Sequence, residues 1–203
     1  VYVDATKGWL YWEESNVDDL GAPQFISATG GTVTESGDYK IHTFTGDGCF
    51  VVSNAGSGTS AEPSIVDYLV VAGGGGAGAI AAGGAGGFRE SLAAASPTHT
   101  ASPHTASPLK ATTGITVTAT TYPITVGGGG AGAGYGTDTS NGSNSVFSTI
   151  TSAGGGGIDA QCSSPFGAGG FRIHQGKAGG SGGGVGVFLN TVPTRSGGSG
   201  NTP

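Results

Sequence analysis

The chain has 203 residues, 44 of them glycine, with 35% hydrophobic and only 10% charged residues and a net charge of −6. An acidic, charge-poor chain has no basic face for phosphates, which excludes nucleic acid as a partner, and no apolar run reaches the roughly 18 residues of a membrane-spanning helix, which excludes membrane insertion of that kind. High glycine with low charge is the composition of structural or extracellular low-complexity material rather than of a cytosolic enzyme.

Residues 1–24 are the most aromatic part. Tyr2, Trp9, Tyr11 and Trp12 are interspersed with Asp, Lys and Glu, the pattern of a strand or hairpin with one aromatic face. This stretch is expected to connect to an upstream domain or partner. No basic, apolar leader pattern begins at Val1, so the chain is expected to start within a longer polypeptide or after processing.

Residues 25–54 read as strands separated by turns. Thr32, Val33 and Thr34 are β-formers, and Glu35, Ser36, Gly37 and Asp38 supply turn chemistry. Residues 39–45 alternate, and Gly46-Asp47-Gly48 then leads into residues 49–53, predicting a hairpin about that turn. Residues 66–72 form a third apolar, β-branched run, so residues 25–72 are expected to form a β-strand domain completed by 114–126 and 145–152.

That third strand runs into a block of glycine and alanine, and similar blocks recur at 127–136, 154–157, 167–170 and 176–186. Gly74, Gly76 and Ala79 fit the spacing of a dinucleotide loop, but more glycines follow where a helix is required, and Glu90 does not end a second strand. Extended glycine chains instead adopt a helix of about three residues per turn without internal hydrogen bonds, whose backbone groups must be met by neighbours. Phe88, Ile158, Phe171 and Phe188 punctuate the blocks, which favours an ordered layer over a linker. The packing glycines are predicted to be Gly73, Gly74, Gly75 and Gly76, then Gly127, Gly128, Gly129 and Gly130, then Gly154, Gly155, Gly156 and Gly157.

Residues 73–203 therefore read as a glycine-rich domain with loops at 88–113, 135–145, 158–166, 171–178 and 187–196. The first loop holds SPTHTASPHTASP, whose Pro97, Pro103 and Pro108 require an extended surface segment; its hydroxyls are weak candidates for glycans, and His99 and His104 are too few to make a metal site. In residues 114–126, Tyr122-Pro123 reads as a break, and residues 145–151 as one short strand. Asn141-Gly142-Ser143 matches a glycosylation sequon. Cys49 and Cys162 are either bonded or free and buried. Specificity is expected in the later loops, with Ile158, Gln161 and Phe166 in one and Phe171, His174, Lys177 and Phe188 in those that follow.

No catalytic set is visible and no cofactor is called for. Ten of the 13 acids precede Gly73, leaving Glu90, Asp138 and Asp159. A glycosidase needs two carboxylates about 5–10 Å apart, and turn capping accounts better for Asp138 and Asp159.

The phrases GDYKIHTFTGDGCFVV, VDYLVVAGGGGAG, GGAGGFRES, TTYPITVGGGGAG and GSNSVFSTITSAGGGG, in that order, resemble the glycine-rich domains of tailed-bacteriophage fibre proteins, particularly those of marine phages. The likeness runs from about Gly30 to the end of the chain. It implies a virion-surface, extracellular appendage, usually trimeric, that joins other fibre, baseplate or capsid proteins and meets a glycan or outer-membrane protein on the host. It also implies packed polyglycine helices whose connecting loops contact the receptor, and no enzymatic residues. The chain departs from that pattern in SPTHTASPHTASP and in IDAQCSSPFGAGGFRIHQGK. The expected fold is thus mainly β with little or no α-helix: an N-terminal antiparallel, β-sandwich-like region, then a glycine-rich region of polyglycine-II-type runs and surface loops.

Overall fold

The computed structural model describes residues 2–4, 8–9, 25–58, 64–91, 110–134, 136–162, 172–186 and 196–200. The fold is mainly β, and the described residues contain no helix. Near the N-terminus, β1 (Tyr2–Asp4) pairs antiparallel with β2 (Gly8–Trp9).

A five-stranded antiparallel sheet forms the first layer. Its strands are β3 (Ile26–Thr29), β6 (Gly48–Ala55), β12 (Thr121–Thr125), β13 (Ser145–Phe147) and β14 (Ile150–Ser152), in the order β14-β13-β12-β6-β3. Alternation along β6 sends Phe50 and Val52 inward, because successive strand side chains face opposite sides. They meet Val70, Val117 and Phe147 in the core, with Ile26, Tyr68, Tyr122 and Ile124 packed around them. Phe50 and Phe147 cross edge to face, with centroids 6.1 Å apart and planes at 89°, the arrangement that the ring quadrupole favours.

Short pairs complete this region. β4 (Thr32–Ser36) pairs with β5 (Tyr39–Thr43), and β7 (Ile65–Val66) with β11 (Ile115–Thr116). β8 (Leu69–Val71) pairs with β9 (Phe88–Ser91), which is joined on its other side in parallel by β10 (Lys110–Ala111).

Three strand expectations are corrected. The tight hairpin lies at Gly37-Asp38, not at Gly46-Asp47-Gly48: β5 pairs with β4, while β6 pairs with β3 and β12. Gly37 has φ 58°, which a two-residue loop with a left-handed first position requires. Residues 145–151 form not one strand but the hairpin β13–β14, turning at Ser148 with φ 53°. Pro123 lies within β12, opposite Cys49. The Val52 amide donates to the Thr120 carbonyl at 2.9 Å, so in this ladder every second pair is hydrogen-bonded and Pro123 falls on a non-bonded one. Its missing N–H would have faced β13, whose pairing ends at Ile124.

Beyond the sheet, the chain forms a bundle of extended runs. Run I is residues 72–78, run II 81–87, run III 127–134, run IV 139–144 and run V 153–157; runs VI (177–180), VII (181–186) and VIII (196–200) follow. Their hydrogen bonds recur every third residue. Between runs I and II, the amides of Ala72, Gly75 and Gly78 donate to the carbonyls of Gly87, Gly84 and Ala81. Between runs I and IV, Gly73 and Gly76 donate to Ser143 and Ser140, and between runs VI and V, Lys177 and Gly180 donate to Gly157 and Gly154. A period of three is that of the polyglycine II helix, about three residues per turn.

Runs I and V are central. Run I bonds to runs II, III, IV and V, and run V to runs I, II, IV, VI and VII. No glycine of runs I to VIII has a positive φ, so the bundle needs glycine for close approach rather than for an unusual backbone conformation. A methyl on Gly75 would overlap the Gly156 carbonyl, and one on Gly154 the Gly142 carbonyl. In Ala82-Gly83-Gly84-Ala85-Gly86-Gly87 both alanines take exposed, outward positions, and a methyl on any of the four glycines would press into a neighbouring backbone.

Candidate functional site

One hydroxyl joins the sheet to the bundle. Ser145 Oγ donates to the Val71 carbonyl at 2.7 Å and accepts from the Gly127 amide at 2.9 Å. It thereby ties together the two places where a strand passes into glycine. Asp47 Oδ1 accepts from the Val126 amide at 2.8 Å and supports the same junction.

The predicted receptor contacts separate into four groups. Ile158 is fully buried. This corrects its assignment, since its side chain packs inside at the start of β15 (Ile158–Cys162) and offers no surface to a receptor. Lys177 is only partly exposed and already engaged: its Nζ donates to the Thr139 carbonyl at 2.8 Å and lies 3.0 Å from Asp159 Oδ1. Gln161 and His174 lie on paired strands, Gln161 opposite Ile173 and His174 opposite Ala160. Phe166, Phe171 and Phe188 lie outside the described residues.

The loops assigned to 158–166 and 171–178 are corrected over their described parts. β15 pairs antiparallel with β16 (Arg172–Gly176) from Ile158↔Gly176 to Cys162↔Arg172. β15 continues run V and β16 leads into run VI. The base of this hairpin is fixed by Thr139, whose Oγ1 donates to the Gly76 carbonyl and accepts from the Ile158 amide, each at 2.7 Å.

The loop assigned to 135–145 is corrected as well. Its residues 139–144 are run IV, and their polar side chains serve backbone groups that a glycine run leaves open. Asn141 Oδ1 accepts from the Gly157 amide at 2.8 Å and its Nδ2 donates to the Ala178 carbonyl at 3.2 Å, while Asn144 Oδ1 accepts from the Gly154 amide at 2.9 Å. The sequon nitrogen is thus a structural donor. Of the predicted loop 88–113, residues 88–91 and 110–111 are strands β9 and β10.

The predicted packing glycines differ among themselves. Gly73, Gly75, Gly76, Gly127, Gly130, Gly154, Gly155, Gly156 and Gly157 each face a neighbouring backbone that a methyl would strike. Gly128 faces open space, and Gly74 and Gly129 have only ordinary contacts. At these three positions a methyl would point away from the neighbouring runs, while the Gly128 and Gly74 carbonyls still accept from the Ser143 and Gly130 amides.

In comparisons with protein-family models, curated proteins and solved structures, nothing matches this chain. The functional reading therefore rests on its residues and geometry.

One concavity escaped the sequence reading. A groove of about 360 Å³ lies where the β3–β4 and β5–β6 connections meet, lined by residues 30–32 and 43–49. Gly30 and Gly31 have φ of 112° and 63°, and a methyl on Gly30 would overlap the Cys49 carbonyl. His42 Nδ1 donates to the Gly30 carbonyl at 2.8 Å and steadies that wall. Cys49 is unbonded and exposed. The available signal was two glycine-containing turns on either side of a strand pair. Among the described residues, no group of three His, Cys, Asp or Glu side chains gathers to hold a metal.

Proposed function

We propose that this chain is a non-enzymatic structural and adhesive module of a virion fibre, which attaches a tailed bacteriophage to the host cell surface. The observation that carries this reading is the bundle of glycine runs fixed by main-chain hydrogen bonds every third residue, from which the β15–β16 hairpin continues. Such a scaffold depends little on a large side-chain core, and loops on rigid scaffolds are common carriers of recognition. The partners in this reading are other fibre, baseplate or capsid proteins, a host glycan or outer-membrane protein, and further copies of the chain, a trimer being favoured.

Immunogold electron microscopy of an infected culture, with antibody to residues 1–203, tests the reading. Gold at the distal ends of tail appendages is expected; gold over capsids or along filaments would replace the reading with the alternative. In a second test, residues 163–171 are replaced by a short Gly-Ser link, leaving the Asp159–Lys177 base intact. Loss of attachment without loss of folding is expected.

The alternative is a capsid-decorating fibre or a self-assembling extracellular filament. It is favoured by run III, where Gly128, Gly129, Ala131 and Gly132 are exposed and the run presents an open edge, comparable to an unpaired strand edge. A mass independent of concentration in light scattering would count against polymerisation.

A further inference from the structure

We propose that the groove formed by residues 30–32 and 43–49 is a binding site for a neutral saccharide; its natural source, a glycan of the host surface, rests on the adhesive reading above. The volume of about 360 Å³ falls in the lower part of the range of roughly 300–1,000 Å³ typical of small-molecule sites.

The lining selects the ligand class. The lining residues include Thr32, Thr43 and Thr45, which carry hydroxyls, Asp47, which carries a carboxylate, and Phe44, which carries an aromatic ring. A sugar presents hydroxyls around its rim and C–H groups on its ring faces, so it can use all three kinds of surface together. The lining holds no Lys, Arg or His to balance an anion, and a single carboxylate is too few for a protein-built calcium site, which takes six to eight oxygen ligands. A polyhydroxylated neutral ligand fits best.

The walls are also formed in advance. His42 fixes the Gly30 carbonyl, and the Val126 amide holds Asp47 Oδ1 in place. The methyl-free Gly31 and Gly48 lie against the Phe44 ring. Preorganisation of this kind lowers the ordering cost of binding, and copies of one weak site in an oligomeric fibre add avidity.

Cys49 lines the groove and reports on it. The test uses the full chain carrying Cys162→Ser, so that Cys49 is the only thiol. Maleimide labelling of Cys49 is timed in the presence of lactose, maltose or cellobiose, with sialyllactose as the anionic control, and saturation-transfer NMR is recorded on the same samples. At least one neutral disaccharide is expected to slow labelling several-fold and to receive saturation, and sialyllactose to do neither. Thr43→Val with Thr45→Val is expected to abolish protection at an unchanged unfolding midpoint. Thr45→Ala, at an exposed bend, replaces the pair if that midpoint falls. Labelling unaffected by all three neutral sugars, or protection that survives in the variant, overturns the site. Binding to a panel of bacterial cells separates the two readings. Cell binding that persists in the variant overturns the groove's part in attachment and leaves the adhesive function standing, whereas groove protection without any cell binding overturns the host-glycan source alone.

Discussion

The amide of Gly155 donates to the carbonyl of Gly73 at 2.8 Å, joining the two central runs of the bundle. The two residues are far apart in the chain, and each sits where a methyl would strike a third run: one on Gly73 would overlap the Gly128 carbonyl. A methyl on Gly155 would overlap the Gly84 carbonyl, whereas nothing lies within 4 Å of one built on Gly128. Gly155→Ala is therefore expected to lower stability by about 1–3 kcal/mol through overpacking. Gly128→Ala is expected to be neutral or to stabilise by about 0.4–1 kcal/mol, since it restricts the unfolded chain at a compatible φ. Urea unfolding of the two variants measures the difference, and equal effects would contradict the bundle packing.

Ser145 and Ser152 sit opposite each other in the β13–β14 register and are both buried, yet they should respond in opposite ways to loss of the hydroxyl. Ser145 Oγ bridges Val71 and Gly127, and Ser145→Ala is expected to cost about 1–3 kcal/mol by stranding those groups. Ser152 Oγ has no hydrogen-bond partner among the described residues. Burying a lone hydroxyl is unfavourable, so Ser152→Ala should leave the melting temperature unchanged or raise it. A large loss in Ser152→Ala would reveal a partner for that hydroxyl.

Asn141 substitutes for backbone on two sides of run IV. Asn141→Ala is expected to destabilise by about 1–3 kcal/mol, because the buried Gly157 amide loses its acceptor. Asn141→Asp keeps that acceptor and loses only the donor to Ala178, so a smaller loss is expected. Hydrogen exchange at the Gly157 amide should accelerate in the alanine variant and much less in the aspartate variant.

Lys177 and Asp159 form an ion pair, but its two members are not equivalent. The Asp159 side chain is 40% exposed, and partly exposed pairs contribute about 0–1 kcal/mol, so Asp159→Asn should fall within that range. Lys177 also donates to the Thr139 carbonyl, and a charged hydrogen bond adds about 1.5–3 kcal/mol. Lys177→Met should therefore cost more than Asp159→Asn. Thermal unfolding at low and high salt separates the two parts, since only the ion-pair share is screened.

Much of the strand content was legible. Residues 49–53 are largely apolar and of strand length and lie within β6, whereas residues 66–72, expected as one strand, divide at Asp67-Tyr68 between β7 and β8, which belong to different sheets. Period three was legible too, although glycine counts concealed it: Ala82-Gly83-Gly84-Ala85-Gly86-Gly87 spells out one exposed position per turn. Residues 139–144 were misread because Thr, Ser and Asn have the composition of turns. In the bundle the same side chains complete backbone hydrogen bonds, a role that no local pattern discloses. Ile158 was misread for a related reason. An apolar residue after four glycines suggests an exposed loop, and only the tertiary structure buries it.

The sequence by itself determined which segments can approach one another closely, since only residues without a Cβ fit where carbonyls of neighbouring runs lie in the way. It also determined the alternation that buries Phe50 and Val52, because strand side chains point to opposite faces by geometry alone. Tertiary structure decided the rest: which run neighbours which, why Pro123 is tolerated inside β12, and where the groove forms. The physical reason is that polyglycine II makes no hydrogen bonds within its own segment. Every backbone group must therefore find its partner in another run, and the choice among near-identical runs is made only when all of them pack together.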